Sequence, residues 1–322
     1  MIKKIQNNNF NNSFLFLMCL FNRFYFMRIF FSLIIMLSII INIYPEGMTM
    51  NKEKAILVVS FGTTHLDTLK NNIEVCENKI ALNFKDFTIR RAFTSNIVRK
   101  ILKEKKDIII DSVEEALNKL SNERFEFVVV QPLHIIPGEE YNEKIIKLVN
   151  EFRNKFKKIV VAKSLLYGIK DYDRVINALK NQIPVLKKDQ AVVLMGHGTY
   201  HPANACYSML QLKLDEQIPN IYVGTVEGYP ELKDVITKLK KNKIKKIILM
   251  PFMLVAGDHA MNDMSGDDDE SWKNILKKEG FKVELYLKGL GENPSIQDIY
   301  VKQVEEAIES DNNTIQNLKD EE

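Results

Sequence analysis

Two stretches of the chain line up with one another: Ala55-Ile56-Leu57-Val58-Val59-Ser60-Phe61-Gly62-Thr63 and Ala191-Val192-Val193-Leu194-Met195-Gly196-His197-Gly198-Thr199. Each is an unbroken apolar run that stops at a glycine-containing turn, the pattern of a strand buried in a parallel sheet. A second pair repeats further on. Gln131-Pro132-Leu133-His134-Ile135-Ile136-Pro137-Gly138-Glu139-Glu140 aligns with Met250-Pro251-Phe252-Met253-Leu254-Val255-Ala256-Gly257-Asp258-His259. A plan used twice restricts the fold to two similar α/β domains, each a parallel sheet flanked by helices, with a cleft between them. In this alignment His197 stands opposite Phe61, and His259 stands opposite Glu140.

The remaining pattern fills in the two copies. Apolar runs predict strands at Ala55–Ser60, Phe87–Phe93, Phe125–Val130 and Ile159–Ala162 in the first copy. They predict strands at Ala191–Met195, Tyr222–Val226, Lys246–Met250 and Lys282–Leu287 in the second. Helical spacing separates them, with Asp111 and Glu114 marking a capped start and Asn293-Pro294 opening a terminal helix to about Ile308. The domain boundaries read as 51–186 and 187–310, joined at Lys187-Lys188-Asp189, with a polar tail over 311–322.

Residues 1–50 have a different character. Phe14–Leu20 and Ile29–Ile41 are apolar, Arg23 and Arg28 lie between them, and Glu46 follows. This reads as a signal peptide or an anchor, with export of the chain or membrane attachment through residues 14–44. The other reading is that translation starts at Met48 or Met50, which makes the protein cytoplasmic. Over the whole chain, 46% apolar and 27% charged residues describe a folded globular protein. A net charge of +3 gives no footprint for nucleic acid. Cys19, Cys76 and Cys206 are too scattered for a disulfide framework or a zinc knuckle. The composition is compatible with a homo-oligomer.

The candidate chemistry lies in the second copy. His197, Glu227 and His259 are expected at the ends of three strands, and a parallel sheet gathers such ends at one rim. Two imidazoles and a carboxylate suit a borderline divalent metal such as cobalt, nickel, iron or zinc, and the same groups can accept protons. The spacing fits equally well three unrelated strand-end residues. His134, in a proline-bounded loop, either lines the opposite wall or hydrogen-bonds a carbonyl, and Arg91 and Arg99 either belong to a solvated face or bind carboxylates. The acidic run Asp267–Glu270 reads as a helix start. The chain has neither a G-x-x-x-x-G-K-[ST] loop nor a G-x-G-x-x-G fingerprint, which argues against ATP-driven or nicotinamide chemistry.

Several segments taken together resemble the anaerobic cobalt chelatases of cobalamin biosynthesis. They are Leu57–Thr63, Arg91–Ser95, Leu133–Ile136, Met195–Gly198 and Leu254–Ala260, extended by Met261–Met264, Ser271–Lys273 and Gly289–Pro294. The resemblance covers roughly Lys54 to Ile308. It implies two similar α/β domains around a cleft and ATP-independent insertion of Co2+ into sirohydrochlorin with release of two protons. It also implies metal-binding and catalytic roles for His197, Glu227 and His259. Because sirohydrochlorin carries many carboxylates, Arg91, Arg99 and His134 are the expected substrate contacts. Fe2+ and Ni2+ tolerate the same ligand set. A different class of function, an exported metal- or tetrapyrrole-binding protein without turnover, also fits these residues.

Overall fold

The computed structural model describes residues 54–320, with side chains as far as residue 310. The leader assigned to residues 1–50 lies outside the described residues. Two four-stranded sheets are present, and every strand pairing is parallel. The first sheet has the order β2-β1-β3-β4, formed by β1 (Lys54–Ser60), β2 (Thr88–Phe93), β3 (Phe127–Pro132) and β4 (Lys158–Val161). The second has the order β6-β5-β7-β8, formed by β5 (Gln190–Gly198), β6 (Ile221–Glu227), β7 (Lys246–Pro251) and β8 (Lys282–Leu285). The two orders are the same permutation, as the duplicated sequence predicts. Even the loop contacts repeat: Leu133 N–H donates to Val59 O at 2.7 Å, and Phe252 N–H donates to Met195 O at 2.7 Å.

Helices cover both faces of each sheet. They are α1 (66–83), α2 (Asn96–Lys106), α3 (Val113–Asn122), α4 (139–152), α5 (Ile169–Lys180), α6 (Ala205–Gln217), α7 (Leu232–Lys241), α8 (Trp272–Lys278) and α9 (Pro294–Asp320). In α1 the stretch Leu69–Glu74 is wound as a π-helix, as is Asn142–Ile146 in α4. Ser112 and Glu115 close a reciprocal capping box at the start of α3, one residue later than the sequence pattern predicts. The alternating faces of the strands sort the core. Leu57 and Val59 pack outward with α3 and α4, and Val193 and Met195 pack outward with α7 and α8. Ile56, Val58, Val192 and Leu194 point the other way, into one apolar cluster drawn from both halves.

The terminal helix α9 belongs by sequence to the second half but packs on the first. It lies against α1, α5, β3 and β4. Ile296, Tyr300 and Val304 are buried in the shared cluster. Tyr300 Oη donates to Leu133 O at 3.0 Å, and Gln303 Nε2 donates to Ser164 O at 2.9 Å. Glu306 pairs with Arg174 at 2.6 Å and with Lys163 at 2.9 Å.

These contacts predict that Tyr300→Phe, which leaves the buried Leu133 carbonyl without its donor, lowers stability by about 1 kcal/mol. Tyr300→Ala also opens a cavity and is expected to cost about 3–5 kcal/mol. Urea unfolding of the two variants measures both. Equal small losses would show that α9 is only loosely attached.

Candidate functional site

The carboxyl ends of β5, β6 and β1, with the loops after β3 and β7, border one cavity of about 510 Å³. This is within the usual range for a small-molecule site. His197 lies in the last turn of β5, and Glu227 is the final residue of β6, paired in register with Gly198. That pairing is possible because residue 198 has no side chain. Gly198 has φ +80°, and a Cβ there would come within 1.6 Å of Glu227 O. The glycine therefore lets the two strand ends close up and sets His197 and Glu227 side by side along the rim.

His259 differs from expectation. It is not at a strand end: β7 stops at Pro251, and His259 precedes a single π-helical turn, Ala260–Met264. The loop carries it back over the rim, so that the rings of His197 and His259 stand perpendicular, with centroids 4.5 Å apart. Each ring has its Nδ1 occupied. His197 Nδ1–H donates to Gly198 O at 2.9 Å, and His259 Nδ1–H donates to Asp263 Oδ2 at 2.5 Å. A carbonyl or carboxylate only accepts, so the neutral form of either ring has its lone pair on Nε2. This arrangement, with one nitrogen oriented by an oxygen and the other left as a donor, is the one metal-binding histidines use. Glu227 lines the same cavity, yet among the described residues no three His, Cys, Asp or Glu side chains are gathered closely enough to hold an ion. The pair of histidines is pre-arranged, and the carboxylate stands at the same rim outside that pair.

The opposite wall comes from the first half. Both ring nitrogens of His134 are buried and have no hydrogen-bond partner, and the same is true of Glu140 Oε2. Burial pushes the His134 pKa down to about 4, so the ring is neutral near pH 7. Two loops meet at one edge of the cavity, where His65 Nε2 lies 2.8 Å from Asp258 Oδ1. The lining contains Glu139, Glu140, Glu227 and Asp258 but no lysine or arginine among the described residues. Such a wall attracts cations.

Arg91 and Arg99 are not brought to this cavity. Arg91, on β2, faces α1: its Nε donates to Glu77 Oε1 at 2.7 Å, and its Nη2 pairs with Glu77 and with Glu74. Arg99 donates to Ile110 O at 2.9 Å and pairs with Glu115. Both guanidinium groups are held by acidic neighbours of their own half, so neither is free to meet substrate carboxylates. The run Asp267–Glu270 likewise serves the start of α8, with Asp267 on Lys273 and Asp269 on Lys278. Sequence reasoning did not single out His65, Asp263 or Glu140 as site residues. The signals for two of them were present: Asp263 is four residues after His259, and Glu140 is the repeat partner of His259.

The state of His134 makes a pH prediction. Its folded pKa is below the ordinary histidine value of about 6.5, so the unfolded chain binds the proton more readily. The stabilisation is complete above about pH 6.5 and is lost as the pH falls toward 4, by roughly 3 kcal/mol. Urea unfolding between pH 7 and pH 4.5 should show His134→Leu losing less stability than the wild type. Parallel losses would mean that the ring is protonated without penalty.

Comparison with known proteins adds the following. A family model described as cobalt chelatase (CbiK) matches residues 54–309. A sirohydrochlorin cobaltochelatase of Salmonella typhimurium is 41% identical over 256 residues, covering 80% of this chain and 97% of the relative. The sirohydrochlorin cobaltochelatase CbiKC of Nitratidesulfovibrio vulgaris is 34% identical over 266 residues, covering 82% of this chain and 94% of the relative. Among solved structures, SirB from Bacillus subtilis with Fe3+ superposes with a TM-score of 0.56 at 16% identity, covering 81% of this chain and 98% of that one. The last match is a likeness of fold.

Proposed function

The chain belongs to the cobalt chelatase family, and from that premise we propose that it is a sirohydrochlorin cobaltochelatase whose reaction takes place in the cavity between the two sheets. The single observation that carries the assignment of the site is the His197–His259 pair. Two rings 4.5 Å apart, each with Nδ1 engaged by an oxygen, leave two borderline nitrogen donors, the Nε2 atoms, side by side in the cavity. The substrates are a divalent cobalt ion and sirohydrochlorin, a tetrapyrrole, and the reaction uses neither ATP nor a nicotinamide.

The reaction exchanges two pyrrole N–H protons for one Co2+, so charge balances when both protons leave. The acidic cavity gathers the incoming cation. His197 and His259 hold it through Nε2 while its water is removed, and Asp263 keeps the His259 ring in the required tautomer. Glu227, at the same rim, completes the ligand set or takes up a departing proton. His134, neutral and without a partner, offers a hydrogen bond to the ring from the first-half wall. With no arginine or lysine lining the cavity among the described residues, the proposed pose turns the carboxylate arms of the tetrapyrrole toward solvent and the centre of the ring toward the histidines.

The test is incubation of the purified protein with sirohydrochlorin and Co2+, followed by absorbance. His197→Ala and His259→Ala are each expected to reduce insertion by about 100-fold or more, within the range that catalytic acid–base or ligand groups contribute, with the fold intact by circular dichroism. Glu227→Gln should weaken metal binding or proton transfer and leave tetrapyrrole binding in place. Insertion at the wild-type rate in all three would reject this site. Binding of the tetrapyrrole with no spectral change in the wild type would instead favour a carrier without turnover.

Location follows the leader. With residues 14–44 translated, the protein is exported or attached to a membrane. With a start at Met48 or Met50, it stays in the cytoplasm. Intact-mass spectrometry of the native protein distinguishes a chain containing residues 1–47 from one lacking them.

A further inference from the structure

The two copies of the strand–turn motif share a left-handed glycine and carry chemically different side chains at the residue before it. In each, a strand passes through a large residue to a left-handed glycine and then a threonine. Gly62 has φ +98° and Gly198 has φ +80°. A Cβ at Gly62 would lie 2.5 Å from the Phe93 ring, so this turn is as tightly fixed as its copy. The residue before the glycine is Phe61 in the first half and His197 in the second. Both are exposed and both line the same cavity.

Phe61 is 51% exposed, although the residues on either side of it are buried. Its position is held by the backbone. Ser60 O accepts from Thr94 N–H at 2.9 Å, and Phe61 O accepts from Ser95 N–H at 3.3 Å. Ser95 in turn caps α2 through Val98 N–H. The ring is therefore presented to the cavity by a rigid frame. Next to it the first-half wall continues with Val98, Leu133, Ile135 and Ile136. A half-exposed aromatic ring beside aliphatic side chains, in a cavity whose paired histidines come from the other half, offers a flat apolar face to a flat apolar ligand.

We propose that Phe61 is the ring-holding counterpart of His197: the duplicated position has divided its work, with one copy holding the metal and the other stacking on the face of the tetrapyrrole. The inference rests on the proposed cobaltochelatase reading. It makes Phe61 a binding residue that touches the macrocycle and takes no proton and no metal. Stacking on one face leaves the opposite face toward His197 and His259, so the position of Phe61 determines from which side the ion enters.

The full chain is tested as wild type, Phe61→Ala and Phe61→Trp. Two measurements are made on each: sirohydrochlorin affinity, by quenching of its fluorescence without metal, and steady-state insertion with Co2+. Phe61→Ala should weaken sirohydrochlorin binding and raise its KM about tenfold, as expected for loss of an aromatic stacking face. The KM for Co2+ should not move, and kcat should stay within about twofold. Phe61→Trp keeps a flat face and should restore affinity to within about twofold. An unchanged sirohydrochlorin affinity in Phe61→Ala, or a shift in the KM for Co2+ as large as that for sirohydrochlorin, overturns the proposal. A loss shared equally by Phe61→Trp also overturns it. If the wild type binds the tetrapyrrole but does not insert metal, the cobaltochelatase reading fails and the binding measurement still decides on Phe61. If the wild type does not bind sirohydrochlorin at all, both fail.

Discussion

Parallel pairing of β5 with β6 on one side and β7 on the other brings three chain segments to a common carboxyl rim. In a parallel sheet that rim is where the loops leave the hydrogen-bonded frame, and backbone and side chains become free to face a ligand. The close contact of Gly198 with Glu227 brings the rim together, since any side chain at residue 198 would collide with the Glu227 carbonyl. His197, next to it, then has one stable choice for its inner nitrogen, the Gly198 carbonyl, and turns its basic nitrogen outward. A packing constraint on a glycine has become a tautomer constraint on a neighbouring ring.

The two sides of the cavity carry different groups. The second-half side supplies the His197–His259 pair with Glu227 and Asp258, the first-half side supplies Phe61, His134, Glu139 and Glu140, and both supply aliphatic groups. Four carboxylates, with no lysine or arginine in the lining among the described residues, favour a doubly charged cation over a polyanion. In the proposed reaction the wall would hold the ion, while the carboxylate-bearing periphery of the macrocycle would stay outside and its neutral centre would enter.

The strands were legible because burial on both faces demands unbroken apolar runs, and Ala55–Ser60 and Ala191–Met195 meet that demand literally. His197 and Glu227 were legible for the same reason, since a run that ends abruptly at a glycine marks a rim. His259 was visible as a residue, but its position was not. Its approach to His197 depends on a loop and one helical turn whose course is set by tertiary contacts, including the His259–Asp263 pair. Arg91 and Arg99 could not be placed from the sequence because a guanidinium pairs with whichever carboxylate the fold brings near. Here Glu74, Glu77 and Glu115 come first. The His65–Asp258 contact joins residues 193 apart and leaves no local trace at all.

The placement of α9 has a consequence for how the chain is made. Sequence duplication suggests two modules that mature one after the other, yet the first sheet finishes its core with Ile296, Tyr300 and Val304 from the far end of the chain. On a ribosome, the N-terminal half emerges long before that helix exists and must wait with an apolar face uncovered. The first half reaches its final form only after residues 296–304 have been made, so what reads as a tandem repeat is, during its birth, a single late-closing unit.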